Sequence, residues 1–131
     1  MLILSYEYID MSDDIQIQEG PTEESFKLIA KRLKAIADPS RLAIMHMLCE
    51  GERNVTELVG MTGLTQANVS KHLRILREEG LVSYRRDHRR IFYDLANELH
   101  KDICSLVCRS LEECAAMNKE ILESYWRAQG E

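Results

Sequence analysis

From Thr22 onward, apolar residues return at three- and four-residue spacings. Phe26, Leu28, Ile29, Leu33 and Ile36 alternate with Lys27, Lys31, Arg32 and Lys34. This period predicts an amphipathic helix with a basic outer face. Asp38-Pro39 follows. Aspartate is a good N-cap acceptor, and proline at the first helical position loses nothing by lacking an N–H. A second helix is therefore expected over 39–49, closing near Gly51, with Leu42, Ile44, Met45 and Leu48 facing the core. Asn54 and Glu57, three apart, form a capping-box pair for a third helix that ends at Gly60 or Gly63. The fourth helix opens at Thr65, carries Val69, Leu73 and Leu76 on one face, and stops at Gly80, which tolerates a left-handed cap. A short helix, a glycine-containing turn and a second helix make a helix-turn-helix.

After Gly80 the period switches to two. Residues 81–86 alternate, Asp87-His88 reads as a turn, and Ile91, Phe92, Tyr93 and Leu95 return, which predicts a β-hairpin with Arg85, Arg86, Arg89 and Arg90 at its tip. One long helix is expected over 97–127, with Ile103, Leu106, Val107, Leu111, Met117, Ile121, Leu122 and Tyr125 as its apolar stripe. A stripe that wide on a terminal helix calls for a partner to cover it.

Composition places these elements in one domain. The chain has 131 residues, 45% hydrophobic and 30% charged, enough to bury a core without disulfides or a metal, so no cofactor is required for folding. No run approaches the roughly 20 apolar residues of a bilayer span, and no basic start of a secretory signal is present, so a cytoplasmic protein without membrane contact is expected. The first 20 residues, acidic and aperiodic up to Gly20-Pro21, read as a flexible N-terminal arm ahead of a domain spanning 21–131. Translation starting at Met11 as well as at Met1 fits the pattern.

The net charge of -5 would argue against nucleic acid, but it averages over faces. Residues 1–24 hold seven acids and no base, whereas residues 65–93 hold seven bases against three acids, and residues 94–131 turn acidic again with eight acids against four bases. The basic segment is the helix-turn-helix and the hairpin. With Val69 inward, Ala67, Ser70, Lys71 and Arg74 point outward, flanked by Gln66, Asn68 and His72. Small and amide side chains early in the helix suit base edges in a major groove, and later cations suit phosphates. Arg85, Arg86, Arg89 and Arg90 then form a basic wing for phosphates or a minor groove. These eleven positions are the expected contacts to double-stranded DNA.

The stretches Leu33-Lys-Ala-Ile-Ala-Asp-Pro-Ser-Arg-Leu42, Val55-Thr-Glu-Leu58, Gly63-Leu-Thr-Gln-Ala-Asn-Val-Ser-Lys-His-Leu73 and Gly80-Leu-Val-Ser-Tyr-Arg-Arg86 resemble the ArsR/SmtB family of transcriptional repressors. The resemblance covers about residues 25–96 by motif. It implies a mainly α, winged helix-turn-helix fold of five helices with a two-stranded wing. It also implies a homodimer on an inverted-repeat operator, released when an inducer binds, often a metal or metalloid ion. The alternative is a winged helix serving as a protein-interaction module without specific DNA binding. An enzyme is not expected, since no phosphate loop, nucleophile elbow or His-Glu-x-x-His motif is present.

The resemblance also directs attention to the cysteines. The family's thiolate site on the third helix falls at Asn54-Val55-Thr56, which has no cysteine, and its zinc site on the last helix meets Asn97 and Leu99. What remains is Cys104 and Cys108, one helical turn apart at about 6 Å, a spacing that could chelate As(III) or Zn(II) or respond to thiol oxidation. The plainer reading is that these thiols pack as small hydrophobes.

Overall fold

The computed structural model describes residues 20–114 and 119–130. Its elements run α1 (Glu23–Ile36), α2 (Pro39–Cys49), β1 (Arg53–Asn54), α3 (Val55–Thr62), α4 (Gln66–Glu78), β2 (Val82–Asp87), β3 (Arg90–Leu95), α5 (Leu99–Cys114) and α6 (Lys119–Gly130). The expected acidic arm lies, apart from Gly20, outside the described residues.

Local chemistry sets the helix boundaries. Thr22 caps α1, its Oγ1 accepting from the Ser25 N–H at 3.1 Å while Ser25 Oγ accepts from the Thr22 N–H at 2.8 Å. Asp38 Oδ1 accepts from the Ser40 and Arg41 amides at 2.9 and 3.1 Å, with Pro39 opening α2. Asn54 and Glu57 cap α3 reciprocally at 2.8 and 2.9 Å. Thr65 caps α4 through the Asn68 amide at 3.1 Å. Each bond satisfies an amide that the helix start would otherwise leave unpaired. At the other end of α3, Gly63 takes φ 79°, and Gly80 takes φ 71° beyond α4, the left-handed conformation that a Cβ penalises.

The core lies where α2, α3 and α4 meet the base of the wing. Ile44, Met45 and Leu48 of α2, Leu58 of α3, Val69, Leu73 and Leu76 of α4, and Leu81 are all almost completely buried. The α4 spacing thus buries one face and leaves the other open.

Three expectations change. The wing is a three-stranded antiparallel sheet of order β1-β3-β2, because Arg53 and Asn54 pair with Tyr93 and Phe92 on the free edge of β3. Two residues are too few for a period-two pattern to reveal. In the hairpin Asp87 pairs with Arg90, so the turn is His88-Arg89, one residue later than expected, with His88 at φ 60°. The expected single helix over 97–127 is two helices, giving six among the described residues where five were expected. The two pack against each other. Trp126 Nε1 donates to the Glu112 carboxylate, and Tyr125 reaches Ser105. A straight helix would hold Trp126 and Glu112 about 21 Å apart. Periodicity alone missed the break because the apolar spacing continues across it and neither proline nor glycine marks it.

Candidate nucleic-acid interface

Helix α4 presents Gln66, Ala67, Asn68, Ser70, Lys71 and Arg74 to solvent, while Val69, Leu73 and Leu76 are buried; Ala67, Lys71 and Arg74 lie away from the buried stripe, and Gln66 is exposed in the first turn beside it. The first four occupy its opening turns, and the two cations follow. Beside this face the wing tip projects Arg86, Arg89 and Arg90, all exposed. An open groove of about 540 Å³ runs between them, lined by Thr56 and Glu57 of α3, Ser70 of α4, and Arg89, Arg90 and Tyr93 of the wing. Helix and wing therefore form one continuous surface, which only the tertiary structure brings together.

Two expected contacts are placed differently. Arg85 is engaged within the fold. Its Nε and Nη2 donate to the two Glu52 carboxylate oxygens at 2.7 and 2.8 Å, Asp87 Oδ2 lies 3.7 Å from Nη1, and the guanidinium stacks 4.9 Å above the Phe92 ring. The Arg85 hydrogen bond holds the Glu52 carboxyl below its usual pKa. This bidentate pair ties the segment entering β1 to the outer strand of the wing. His72 is half-buried, with Nδ1 3.2 Å from Arg41 Nη1. Burial, above all, pushes its pKa down. Glu52 and Arg41 were not among the expected site residues. Their partners lie 33 and 31 positions away, and no local pattern signals such pairs.

The remaining arginine of α4, Arg77, lies 4.9 Å over the Tyr84 ring of β2 and braces helix against wing. Lys71, Arg74, Arg86, Arg89 and Arg90 form no ion pair with a described residue. Five exposed cations thus stand on α4 and the wing without an ion-pair partner among the described residues, a local charge opposite in sign to the whole chain.

Cys104 is half-buried and Cys108 buried on α5, and burial raises the pKa of both thiols. Cys104 Sγ lies 3.8 Å from His100 Nδ1. His100 itself is buried, its ring 6.4 Å from that of His46. Among the described residues no three His, Cys, Asp or Glu side chains are grouped to hold a metal ion, so the two thiols and His100 do not form a complete ligand set in this arrangement.

A helix-turn-helix whose second helix is open on one face, set beside an arginine-tipped β-hairpin, defines a winged-helix DNA-binding transcriptional regulator. Comparison with known proteins agrees. Residues 38–84 match the family described as bacterial regulatory protein, arsR family. The probable mercury resistance operon repressor of Streptomyces lividans is 34% identical over 90 residues, covering 68% of this chain and 72% of the relative. The crystal structure of Mycobacterium tuberculosis Rv0081 superposes with a TM-score of 0.64 at 30% identity, covering 76% of this chain and 99% of that one. A homodimeric winged helix-turn-helix DNA-binding domain from Mycobacterium bovis, solved by NMR, gives a TM-score of 0.64 at 29% identity, covering 79% of this chain and 95% of that one. The chain belongs to the ArsR family. With that membership the protein-interaction alternative falls away. No helix among the described residues is long and apolar enough to cross a membrane.

Proposed function

We propose that the protein is a homodimeric repressor that reads an inverted-repeat operator and leaves it when an inducer binds. The observation that carries this reading is the shared orientation of the exposed α4 face and the unpaired wing arginines. In it, Gln66, Ala67, Asn68 and Ser70 meet base edges, and Lys71, Arg74, Arg86, Arg89 and Arg90 meet phosphates. Arg85, bound to Glu52, holds the wing in place instead of contacting DNA.

The dimer is supported by an apolar surface that the chain does not cover. Phe26, Leu28, Ile29 and Leu33 on α1 are 55%, 70%, 52% and 47% exposed, and Leu106 and Val107 on α5 are 59% and 50% exposed. Leu28, Ile29 and Leu33 share a groove of about 420 Å³ with Leu99 and Ile103, so α1 and α5 offer one surface. A second copy related by two-fold symmetry would bury it and set two α4 helices at a fixed spacing, as an inverted repeat requires. The homodimeric state of the Mycobacterium bovis domain and the repressor role of the Streptomyces relative fit this reading.

The inducer is assigned to a thiophilic ion, As(III) or Zn(II), at Cys104 and Cys108, with His100 on the same helix face. Binding requires these side chains to rearrange and the thiols to lose protons. Selection of bound DNA from a random pool, with and without each ion, tests both parts. A single inverted repeat is expected, with release by the ion lost in Cys104→Ser/Cys108→Ser. Recovery of no common sequence would refute the operator reading, and equal release from the double variant would refute the thiol site.

A further inference from the structure

Arg41 sits at the corner where α1, α2 and α4 meet, and all three nitrogens of its guanidinium have partners. Nε donates to the Ala35 carbonyl at 2.5 Å and Nη2 to the Lys34 carbonyl at 3.3 Å. Both carbonyls belong to the last turn of α1, where no amide of the same helix remains to satisfy them. Nη1 lies 3.2 Å from Nδ1 of His72 on α4. The root of the side chain is fixed as well, since the Arg41 amide is one of the two bound by Asp38.

The chemistry of this contact determines the state of His72. A guanidinium carries five N–H donors, no acceptor, and a charge it does not lose. His72 Nδ1 must therefore accept, which places the ring proton on Nε2 and makes the imidazole neutral. A protonated ring would turn an N–H toward Arg41, donor against donor and cation against cation. The groups around the ring that carry charge are Asp38, which favours protonation, and Arg41 and Lys71, which oppose it together with burial.

We propose that Arg41 is a positioning residue for DNA reading: through the neutral His72 ring it fixes helix α4 against the C-terminal turn of α1. This rests on α4 being the DNA-reading helix and α1 part of the dimer surface. Arg41 then links the element that pairs two copies to the element that enters the groove. It thereby sets the distance between the two reading helices. His72 acts through Nδ1 on helix placement, not as a cation on a phosphate. The position of Gln66, Asn68 and Ser70 relative to the two-fold axis follows from this strut.

The test uses two substitutions that divide the imidazole. His72→Asn places an amide near the Nδ1 position, where its oxygen can accept from Arg41. His72→Gln carries the amide one bond further, near Nε2. Binding of the full-length chain is measured on the operator selected from the pool, and on the same operator with one base pair added between its half-sites. His72→Ala and Arg41→Lys are expected to weaken operator binding about tenfold, the scale of a lost hydrogen bond to a charged group. They should also narrow the preference for native spacing while leaving the salt dependence unchanged. His72→Asn should restore affinity to within about threefold, and His72→Gln should not.

Rescue by His72→Gln alone, or a salt slope lowered by about 2 in His72→Ala, would make His72 a DNA-contacting group and overturn the proposal. Normal binding by Arg41→Lys would overturn it too. Imidazole nitrogen NMR of the unsubstituted protein gives a readout that does not depend on DNA. An Nε2-protonated neutral ring at pH 7 is expected, and an Nδ1-protonated or cationic ring refutes the strut. Gln66→Ala and Ser70→Ala in the same gels check the underlying reading. Unchanged operator preference there would show that α4 is not the reading helix, whatever the His72 variants do.

Discussion

Replacing a wing arginine should reveal which cations touch DNA, and the structure separates two that the sequence treats alike. Arg85 and Arg89 are four residues apart in one basic run. Arg85 is held by both oxygens of Glu52, at 2.7 and 2.8 Å, whereas Arg89 is exposed at the tip and forms no ion pair with a described residue. Lys71, Arg74, Arg86, Arg89 and Arg90 in each of two copies provide about ten cations, and log K against log salt should then have a slope of about −9. Removing Arg89 from both copies takes away two, so the slope should fall to about −7. Between 50 and 200 mM salt, the unsubstituted protein would lose about five decades of affinity and the Arg89→Ala variant about four.

Arg85→Ala is the control, expected to leave the slope unchanged because Arg85, held by Glu52, makes no phosphate contact. Fluorescence anisotropy on a labelled operator at four salt concentrations measures each slope. Equal reductions for Arg85→Ala and Arg89→Ala would refute the assignment, since the Glu52 pair would then open on binding. An unchanged slope for Arg89→Ala would remove the wing tip from the DNA altogether.

Asp38→Ala removes two capping bonds from α2 and should cost about 1 kcal/mol, lowering Tm by roughly 3–6 °C. The Arg41 amide bond, the largest influence, holds the Asp38 carboxyl below its usual pKa, so its stabilisation is present above the unfolded value and is lost as pH falls through the folded one. The gap between variant and parent melts should therefore close in acid, and a gap that stays constant to pH 2 would contradict this. Gly60→Ala and Gly63→Ala should have opposite signs although an added Cβ meets nothing within 4 Å at either site. The first should stabilise helix α3 by up to about 1 kcal/mol, and the second should cost about 1–2 kcal/mol at φ 79°. Denaturant unfolding reads both. Leu28→Glu with Val107→Glu should yield a monomer by sedimentation at micromolar concentration with helical content retained, and a persisting dimer would move the interface elsewhere.

Much of the interface was legible in the chain. The 3.6-residue period of Val69, Leu73 and Leu76 already assigns Ala67, Ser70, Lys71 and Arg74 to the open face of α4, because a helix with one buried stripe has only one other side. The two-residue period after Gly80 likewise places the arginines on a hairpin. The switch from period to period is local, and local signals survive in a linear sequence. The status of each arginine is not local. Arg85 differs from Arg89 only because the fold brings Glu52 across from it.

The sequence by itself determined where the central helices start, which of their faces are buried, and that a basic wing follows the helix-turn-helix. Caps such as Asp38 and Asn54 act within three residues, and hydrophobic burial follows a period, so both are written along the chain. Tertiary structure alone decided that Arg41 reaches His72, that Arg85 is spent on Glu52, and that the C-terminal segment doubles back to place Trp126 on Glu112. Each of those contacts joins residues 14 or more positions apart. Such pairs depend on the directions in which helices leave their turns, and only packing of the whole core sets those directions.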